Sequence, residues 1–292
     1  MHKTRIYDFY KDFKVVGCVV GAVRTPWNKP TRGRPYEIEP KEYVALIVFM
    51  ASKDMSLREA DGISYLLLNK RVPKSNIEWA IQKLTEQYVK NLVKLLLQLI
   101  DCGGKYVYIG DSTGVETPES ELVVHKGRRK LRKKHIKWHI LTKYFYELGF
   151  QVIVNECVTH GFAHDSPAFR SIVDEDFSDG VAFLDAAYEC EANHKLCASH
   201  KVKLISKAKK GLKFDYPIYE ILYQEFRGVI ENVFGTNSNA QGNKTRFKKD
   251  CNKRIHVLLL GVVRNISTYK TSIDAERRYA YSLVLLIYWT DS

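Results

Sequence analysis

Apolar residues follow a helical period in the first third of the chain and an alternating or unbroken pattern over most of the rest. Behind Ser56, the side chains of Leu57, Ala60, Ile63 and Leu67 share one helical face, and Glu59 stands where it can reach back to the Ser56 N–H as a capping box. Ser75 and Glu78 repeat the arrangement around Ile77, Ala80, Ile81 and Leu84, and a third stretch over 88–100 carries Leu92, Leu95, Leu96 and Leu99. Residues 41–100 therefore read as helical. Past Gly103 and Gly104 the period shortens. Runs at 106–111, 136–145, 151–157, 181–185 and 202–206 are short and rich in β-branched and aromatic residues, which predicts strands. Helical patterns return at 166–173, 188–200 and 217–234 and again after 254. Strands mixed with helices predict an α/β domain over 104–292, preceded by a helical region over 1–103. Within that region, residues 24–40 are rich in Pro and basic residues and predict an exposed linker.

The length, 292 residues, allows a sizeable core in one or two domains, and the 45% hydrophobic content is ordinary. Charge changes the picture. Lys and Arg number 46 against 33 Asp and Glu, so the formal net charge is +13. Such a surplus favours a polyanionic partner, nucleic acid first. The apolar runs at 15–23 and 283–289 fall short of the ~20 residues that span a bilayer, and six irregularly spaced cysteines do not make a secreted disulfide framework. A chain that stays in the cytoplasm is the expectation.

The basic residues gather in two places, and a pair of predicted helices offers a third candidate contact. Residues 126–137 hold Lys126, Arg128, Arg129, Lys130, Arg132, Lys133, Lys134 and Lys137, between the first two predicted strands, and suit phosphate contact. Arg32 and Arg34 lie in an Arg-Gly-Arg-Pro stretch that resembles the core of an AT-hook, an arm that enters a narrow A·T minor groove. The predicted helices 56–68 and 75–84 resemble a helix-turn-helix, with Asn76, Glu78, Trp79 and Gln82 as outward candidates on the second helix. A plain helical bundle explains the same pattern.

Three acids are placed for chemistry. Asp111 and Asp185 each end a predicted strand, where a carboxylate is held by the strand and exposed only at the sheet's rim. Glu231 lies in a predicted helix with Arg227 one turn before it on the same face, so that the cation can orient the acid. Carboxylates paired in this way are hard oxygen ligands suited to Mg²⁺ or Mn²⁺. Cys190, His194, Cys197 and His200 form a Cys/His set, but one helix cannot wrap four ligands around zinc, and buried thiols beside a surface histidine are the expected reading.

In order along the chain stand Asp111-Ser112-Thr113-Gly114, Lys137-Trp138-His139, Thr159-His160-Gly161 with His164-Asp165-Ser166, Asp185-Ala186-Ala187-Tyr188-Glu189, and Arg227-Gly228-Val229-Ile230-Glu231. Together they resemble the DDE transposases of prokaryotic insertion sequences, over about residues 106–266. The resemblance implies a ribonuclease-H-like core: a five-stranded mixed sheet flanked by helices, its first three strands an antiparallel meander, with Asp111 and Asp185 on neighbouring parallel strands. It implies Asp111, Asp185 and Glu231 as the catalytic acids, holding two Mg²⁺ or Mn²⁺ ions. The activity it implies is hydrolysis of phosphodiesters at the ends of a mobile element and joining of those ends to target DNA. Double-stranded DNA is then the partner, contacted by the two basic regions, the helix pair and Arg227, with a homodimer or larger assembly forming on it at the nucleoid. A nuclease or resolvase of the same fold, or a DNA-binding protein that has lost its catalysis, is the alternative. A common form of the family's last motif is Tyr-x2-Arg-x3-Glu-x6-Lys. Here the Arg-x3-Glu core is intact, but Tyr223 stands one residue too early, position 238 is Ser, and Lys244 is the nearest lysine, with Glu225 as a second candidate acid.

Overall fold

Why residues 104–206 form a sheet and how that sheet is covered follow from the two faces of its strands. The computed structural model describes residues 3–27, 37–100, 103–125, 128–206, 217–241 and 244–290. Strands β1 (Val107–His125), β2 (Arg128–Phe145), β3 (Phe150–His160), β4 (Gly180–Leu184) and β5 (Val202–Ser206) form one sheet in the order β3-β2-β1-β4-β5. The first three are antiparallel neighbours, while β4 runs parallel to β1 and β5 parallel to β4. This is the expected five-stranded mixed sheet flanked by helices.

Alternation sends Val107, Ile109, Trp138, Ile140, Phe183 and Ile205 to one face and Tyr108, Leu141, Ala182, Leu184 and Leu204 to the other. The second face is closed by α6 (Asp165–Ile172) and α7 (Glu191–Ser199), through Phe169, Ile172 and Cys197. The first is covered by α8 (Pro217–Gln241), α9 (Asp250–Thr290) and the amino-terminal helices α1 (Lys3–Gly21), α2 (Pro40–Ser52), α3 (Leu57–Leu68), α4 (Lys74–Lys83) and α5 (Glu86–Ile100). Helices α5 and α9 pack on each other and on β3. Consequently the helices before residue 103 and the sheet after it bury their side chains in one continuous core. Helix α2 is buried on every side from Tyr43 to Ala51, as its nearly unbroken apolar sequence requires. Among the described residues no helix is long and apolar enough to cross a membrane.

Several local expectations are corrected. Ser56 and Glu59 form the expected capping box, but Ser75 caps nothing. Helix α4 starts at Lys74 behind Pro73, and Asp61 of α3 supplies the missing acceptor, taking the Lys74 N–H at 3.2 Å and the Arg71 side chain at 3.0 Å. Trp79 does not point outward. It packs edge-on against Trp27 at 5.9 Å and Tyr43 at 6.2 Å; of the other outward candidates on α4, Asn76 and Gln82 are exposed and Glu78 is half-buried in an ion pair with Lys249 at 3.0 Å. The helix expected over 188–200 is broken: a short 3-10 turn, Ala186–Tyr188, precedes α7. Helix α1 lies outside the predicted elements; its Phe9 and Phe13 pack edge-on against Phe49 of α2.

Candidate active site

Both aspartates follow their strands' alternation onto the face that α8 covers, but only Asp185 stands at a strand end: β1 runs on past Asp111 to His125 because β2 continues to pair with it, and only the pairing with β4 stops at Gly110. In β1 the positions Val107 and Ile109 point that way and Asp111 is next; in β4 Phe183 points that way and Asp185 is next. The parallel register pairs Ile109 with Phe183 and Gly110 with Leu184, so Asp111 and Asp185 are the following pair, side by side and half-buried where the pairing of β1 with β4 stops. Each carboxylate is turned by its own backbone: Asp111 Oδ1 accepts the Ser112 N–H at 2.7 Å, and Asp185 Oδ1 accepts the Ala186 N–H at 2.7 Å. Gly110 keeps the two strands close at this point, because a Cβ there would lie 2.5 Å from Leu184 Cδ2.

Helix α8 crosses the sheet above these acids. Tyr219 meets Lys203 of β5; Tyr223, buried, donates from its hydroxyl to Asp185 Oδ1 at 3.3 Å; Phe226 stacks on Phe183 of β4 at 4.9 Å; and Phe234 meets Trp138 of β2 at 5.9 Å. The helix therefore passes from β5 over β4 and β1 to β2. Glu231 is exposed and lies on α8 between Phe226 and Phe234. Glu225 is also exposed. The Arg227 side chain is outside the described residues. Lys244 forms an ion pair with Glu116 at 3.8 Å, at the root of the β1–β2 hairpin.

The donor chemistry of Asp111 and Asp185 fits a hard divalent cation: two adjacent carboxylates, held by backbone N–H groups, at a rim open to solvent. They are not drawn together with Glu231 to ligand spacing. Among the described residues, only Asp174, Glu175 and Asp176 form a trio of ligand groups within 4.8 Å, and Lys94 already answers all three, at 3.5, 2.8 and 3.0 Å. The Cys/His set is no centre either. Cys190 Sγ lies 3.0 Å from Ser166 Oγ, His194 Nε2 meets Glu189 at 2.9 Å, Cys197 is buried, and His200 stands beside the Phe177 ring.

On the opposite face, directly behind Asp111, Asp165 at the start of α6 gathers three partners. The Ser112 hydroxyl donates to Asp165 Oδ1 at 2.7 Å, Lys137 Nζ lies 2.7 Å away, and His139 Nδ1 lies 3.4 Å away. His139 is wholly buried and also bonds Thr159 Oγ1 through Nε2 at 2.8 Å. Burial pushes its pKa down to about 4 against the pull of Asp165, so the ring is neutral and structural, not a DNA contact. His160 and His164 are exposed. Sequence reasoning did not assign roles to Asp165, Tyr223 or Glu156. A signal was present in Lys137-Trp138-His139: on a strand, alternation sends Trp138 to the α8 face and its two neighbours to the α6 face.

Glu156 of β3 is almost fully buried and accepts the Trp138 Nε1–H at 2.6 Å. Gly261 of α9 makes room for it, since a Cβ at that position would lie 2.3 Å from Glu156 Oε1. Burial holds its carboxyl well above the usual range, outweighing the indole bond, so the folded protein keeps this proton. The unfolded chain releases it from about pH 4.3 upward. Stability contributed here is therefore complete below that pH and declines as pH rises. Glu156→Gln keeps an acceptor carbonyl but cannot ionise. Its stability relative to the wild type, measured by urea unfolding, is expected to improve as pH rises above about 4.3, by at most about 1.4 kcal/mol per pH unit. A difference independent of pH would show that Glu156 is ionised in the fold.

The basic stretch is not a connecting loop. Residues 128–135 are the first part of β2, paired with residues 116–125 of β1 in a two-stranded ribbon, and Arg129, Arg132, Lys133 and Lys134 are exposed on it. Lys126 and the side chains of Arg128 and Lys130 lie outside the described residues, as do Arg32 and Arg34.

A curated, uncharacterized protein of Aquifex aeolicus (strain VF5) is 23% identical over 238 residues, covering 75% of this chain and 73% of that protein. A cryo-EM structure of the piggyBac transposase synaptic complex with hairpin DNA aligns over 92% of this chain and 73% of that chain, with a TM-score of 0.48 and 9% identity. Residues 103–266 match the family described as Transposase DDE domain. That match takes in more than half of the chain and every strand and acid of the site, and the protein belongs to the transposase DDE domain family.

Proposed function

We propose that this chain is a DNA transposase that cuts phosphodiesters at the ends of its own element and joins those ends to target DNA, with Asp111, Asp185 and Glu231 as its catalytic carboxylates. One observation carries the reading. Asp111 and Asp185 directly follow the last paired residues, Gly110 and Leu184, of two neighbouring parallel strands, on the face crossed by the helix that holds Glu231. The Ser112 and Ala186 N–H groups orient the two aspartates, and Tyr223 steadies Asp185 from α8. Asp165 with Ser112, Lys137 and His139 stiffens the strand behind Asp111. Two Mg²⁺ or Mn²⁺ ions, held by the three carboxylates, would supply charge neutralisation at the attacking and leaving oxygens of the phosphodiester.

Double-stranded DNA is the partner in this reading. The β1–β2 ribbon with Lys126, Arg128, Arg129, Lys130, Arg132, Lys133 and Lys134, the arm with Arg32 and Arg34, and Arg227 beside the site are its contacts. The helical region 1–103, with the α3–α4 pair, selects the ends, and residues 104–292 carry the chemistry. Assembly as a dimer or larger on DNA, in the cytoplasm at the nucleoid, completes the proposal. The test is a nicking and joining assay on labelled DNA carrying the repeats that flank the gene. Cleavage is expected with Mg²⁺ or Mn²⁺ and not in EDTA. Full cutting in EDTA would remove the metal-dependent mechanism, and metal-dependent cutting without joining would make the chain a nuclease of the same fold.

A further inference from the structure

The β1–β2 hairpin runs on well past the rest of the sheet. Pairing with β4 ends at Gly110 and pairing with β3 ends at Ile136, so residues 116–125 and 128–135 stand alone as a two-stranded arm, about 25–30 Å long. Its root is fixed. A register shift between Glu116 and Ser120 is clamped by Lys253, which donates to Glu119 at 2.6 Å, by the Thr245 N–H on the Glu116 carbonyl at 2.8 Å, and by the Thr117 hydroxyl on the Lys134 carbonyl at 3.2 Å. Beyond that root the arm presents an apolar pair to solvent. Leu122 and Leu131 are directly opposite each other, 61% and 75% exposed. On β2 the same face presents Arg129 two residues to one side of Leu131 and Lys133 two residues to the other, both exposed. Lys133 gives one hydrogen bond to the Pro118 carbonyl at 3.3 Å and has two more to give.

We infer that this arm lies in the major groove of duplex DNA, with Leu122 and Leu131 against the base edges and Arg129 and Lys133 on the flanking phosphates. Charge complementarity selects the occupant: an apolar pair framed by cations suits a surface with apolar groups on its floor and anions on its rims. Dimensions select the groove: the major groove, about 12 Å wide, admits a two-stranded ribbon along its length. The minor groove of undistorted duplex, about 6 Å wide, is too narrow for it without bending the DNA. Thymine C5-methyl groups are the apolar features of the major-groove floor, and they are what two leucines would read. A two-stranded ribbon is marginally stable alone, so its exposed leucines gain cover when DNA fills that role.

The inference rests on the DNA-binding reading above, and its test separates the two. Full-length protein is titrated with the duplex segment that the arm protects in footprinting, made once with thymine and once with uracil throughout. Uracil removes only the major-groove methyl. The wild type is expected to bind the uracil duplex more weakly, by about fourfold for each thymine methyl that a leucine covers. The double variant Leu122→Ala/Leu131→Ala, whose exposed changes leave the core intact, is expected to bind both duplexes equally. The single variants report the same effect in part. Arg129→Ala and Lys133→Ala should each lower the salt slope of binding by about 1 without altering the thymine preference. An equal response to uracil in wild type and double variant, or none in the wild type, overturns the groove placement while leaving DNA binding intact. Absence of salt-dependent binding to any duplex by the wild type overturns the DNA reading itself.

Discussion

Asp111→Asn, Asp185→Asn and Glu231→Gln are each expected to lower DNA cleavage and joining by at least about 10³-fold while leaving binding to the element's ends nearly unchanged. Each substitution keeps the shape of the side chain and removes the charge. Asn at 111 or 185 still offers its Oδ1 carbonyl to the following N–H, as the aspartates do at 2.7 Å, so both positions keep their geometry. What disappears is a hard anionic ligand, and a neutral carbonyl replaces it poorly. Groups that hold a pair of cations act as a unit, so removing one costs nearly the whole rate instead of a third of it. Stability should not fall, because two half-buried like charges stand in adjacent register and removing one relieves their repulsion. Glu225→Gln is the control on the same helix, and its effect should be small. Cleavage and binding are measured on the same preparations with labelled ends. Normal cutting by Glu231→Gln together with a dead Glu225→Gln would move the third acid, and normal cutting by all three variants would end the proposed mechanism.

Trp138→Ala is expected to be the most damaging single change to the fold. The indole is 1% exposed, packs against Phe234 of α8, and donates to the buried Glu156 carboxyl at 2.6 Å. Emptying the site costs about 3–5 kcal/mol in burial and cavity together. Leaving Glu156 without its donor adds about 1–3 kcal/mol, since no water reaches a group that is 1% exposed. The sum approaches the whole stability of many domains. Trp138→Phe retains most of the packing and removes only the bond, so it isolates the second contribution. Urea unfolding with an unchanged m-value measures both. A drop under about 1 kcal/mol for Trp138→Ala would mean that α8 is seated by other side chains. Because Phe234 lies one turn beyond Glu231, cleavage by whatever Trp138→Ala protein folds should fall as well.

The strands and helices that could be read locally are those whose apolar pattern has only one use. Residues 202–206 and 181–185 alternate or run apolar between turn residues, and β5 and β4 formed there within a residue. The Ser56–Glu59 capping box needs only its own turn of chain, and it formed. Asp185 was legible as a strand-end acid for the same reason, whereas Asp111 proved to lie inside β1, which runs on to His125 because β2 keeps pairing with it.

Other features depend on partners far away in the chain. Ser75 does not cap because Asp61 of another helix takes the first turn of α4, and Trp79 turns inward because Trp27 and Tyr43 offer it aromatic neighbours. The basic arm shows no strand period because neither of its faces meets a core, so only cross-strand pairing from residue 116 onward reveals it. By itself, then, the sequence determined the elements, the candidate acids and the excess of positive charge. Tertiary structure alone decided that Asp111 stands beside Asp185, that Tyr223 reaches Asp185, and that Asp165 supports β1 from behind. Strand order and helix crossing are set by which buried faces fit together, and that is a property of the packed whole that no local pattern carries.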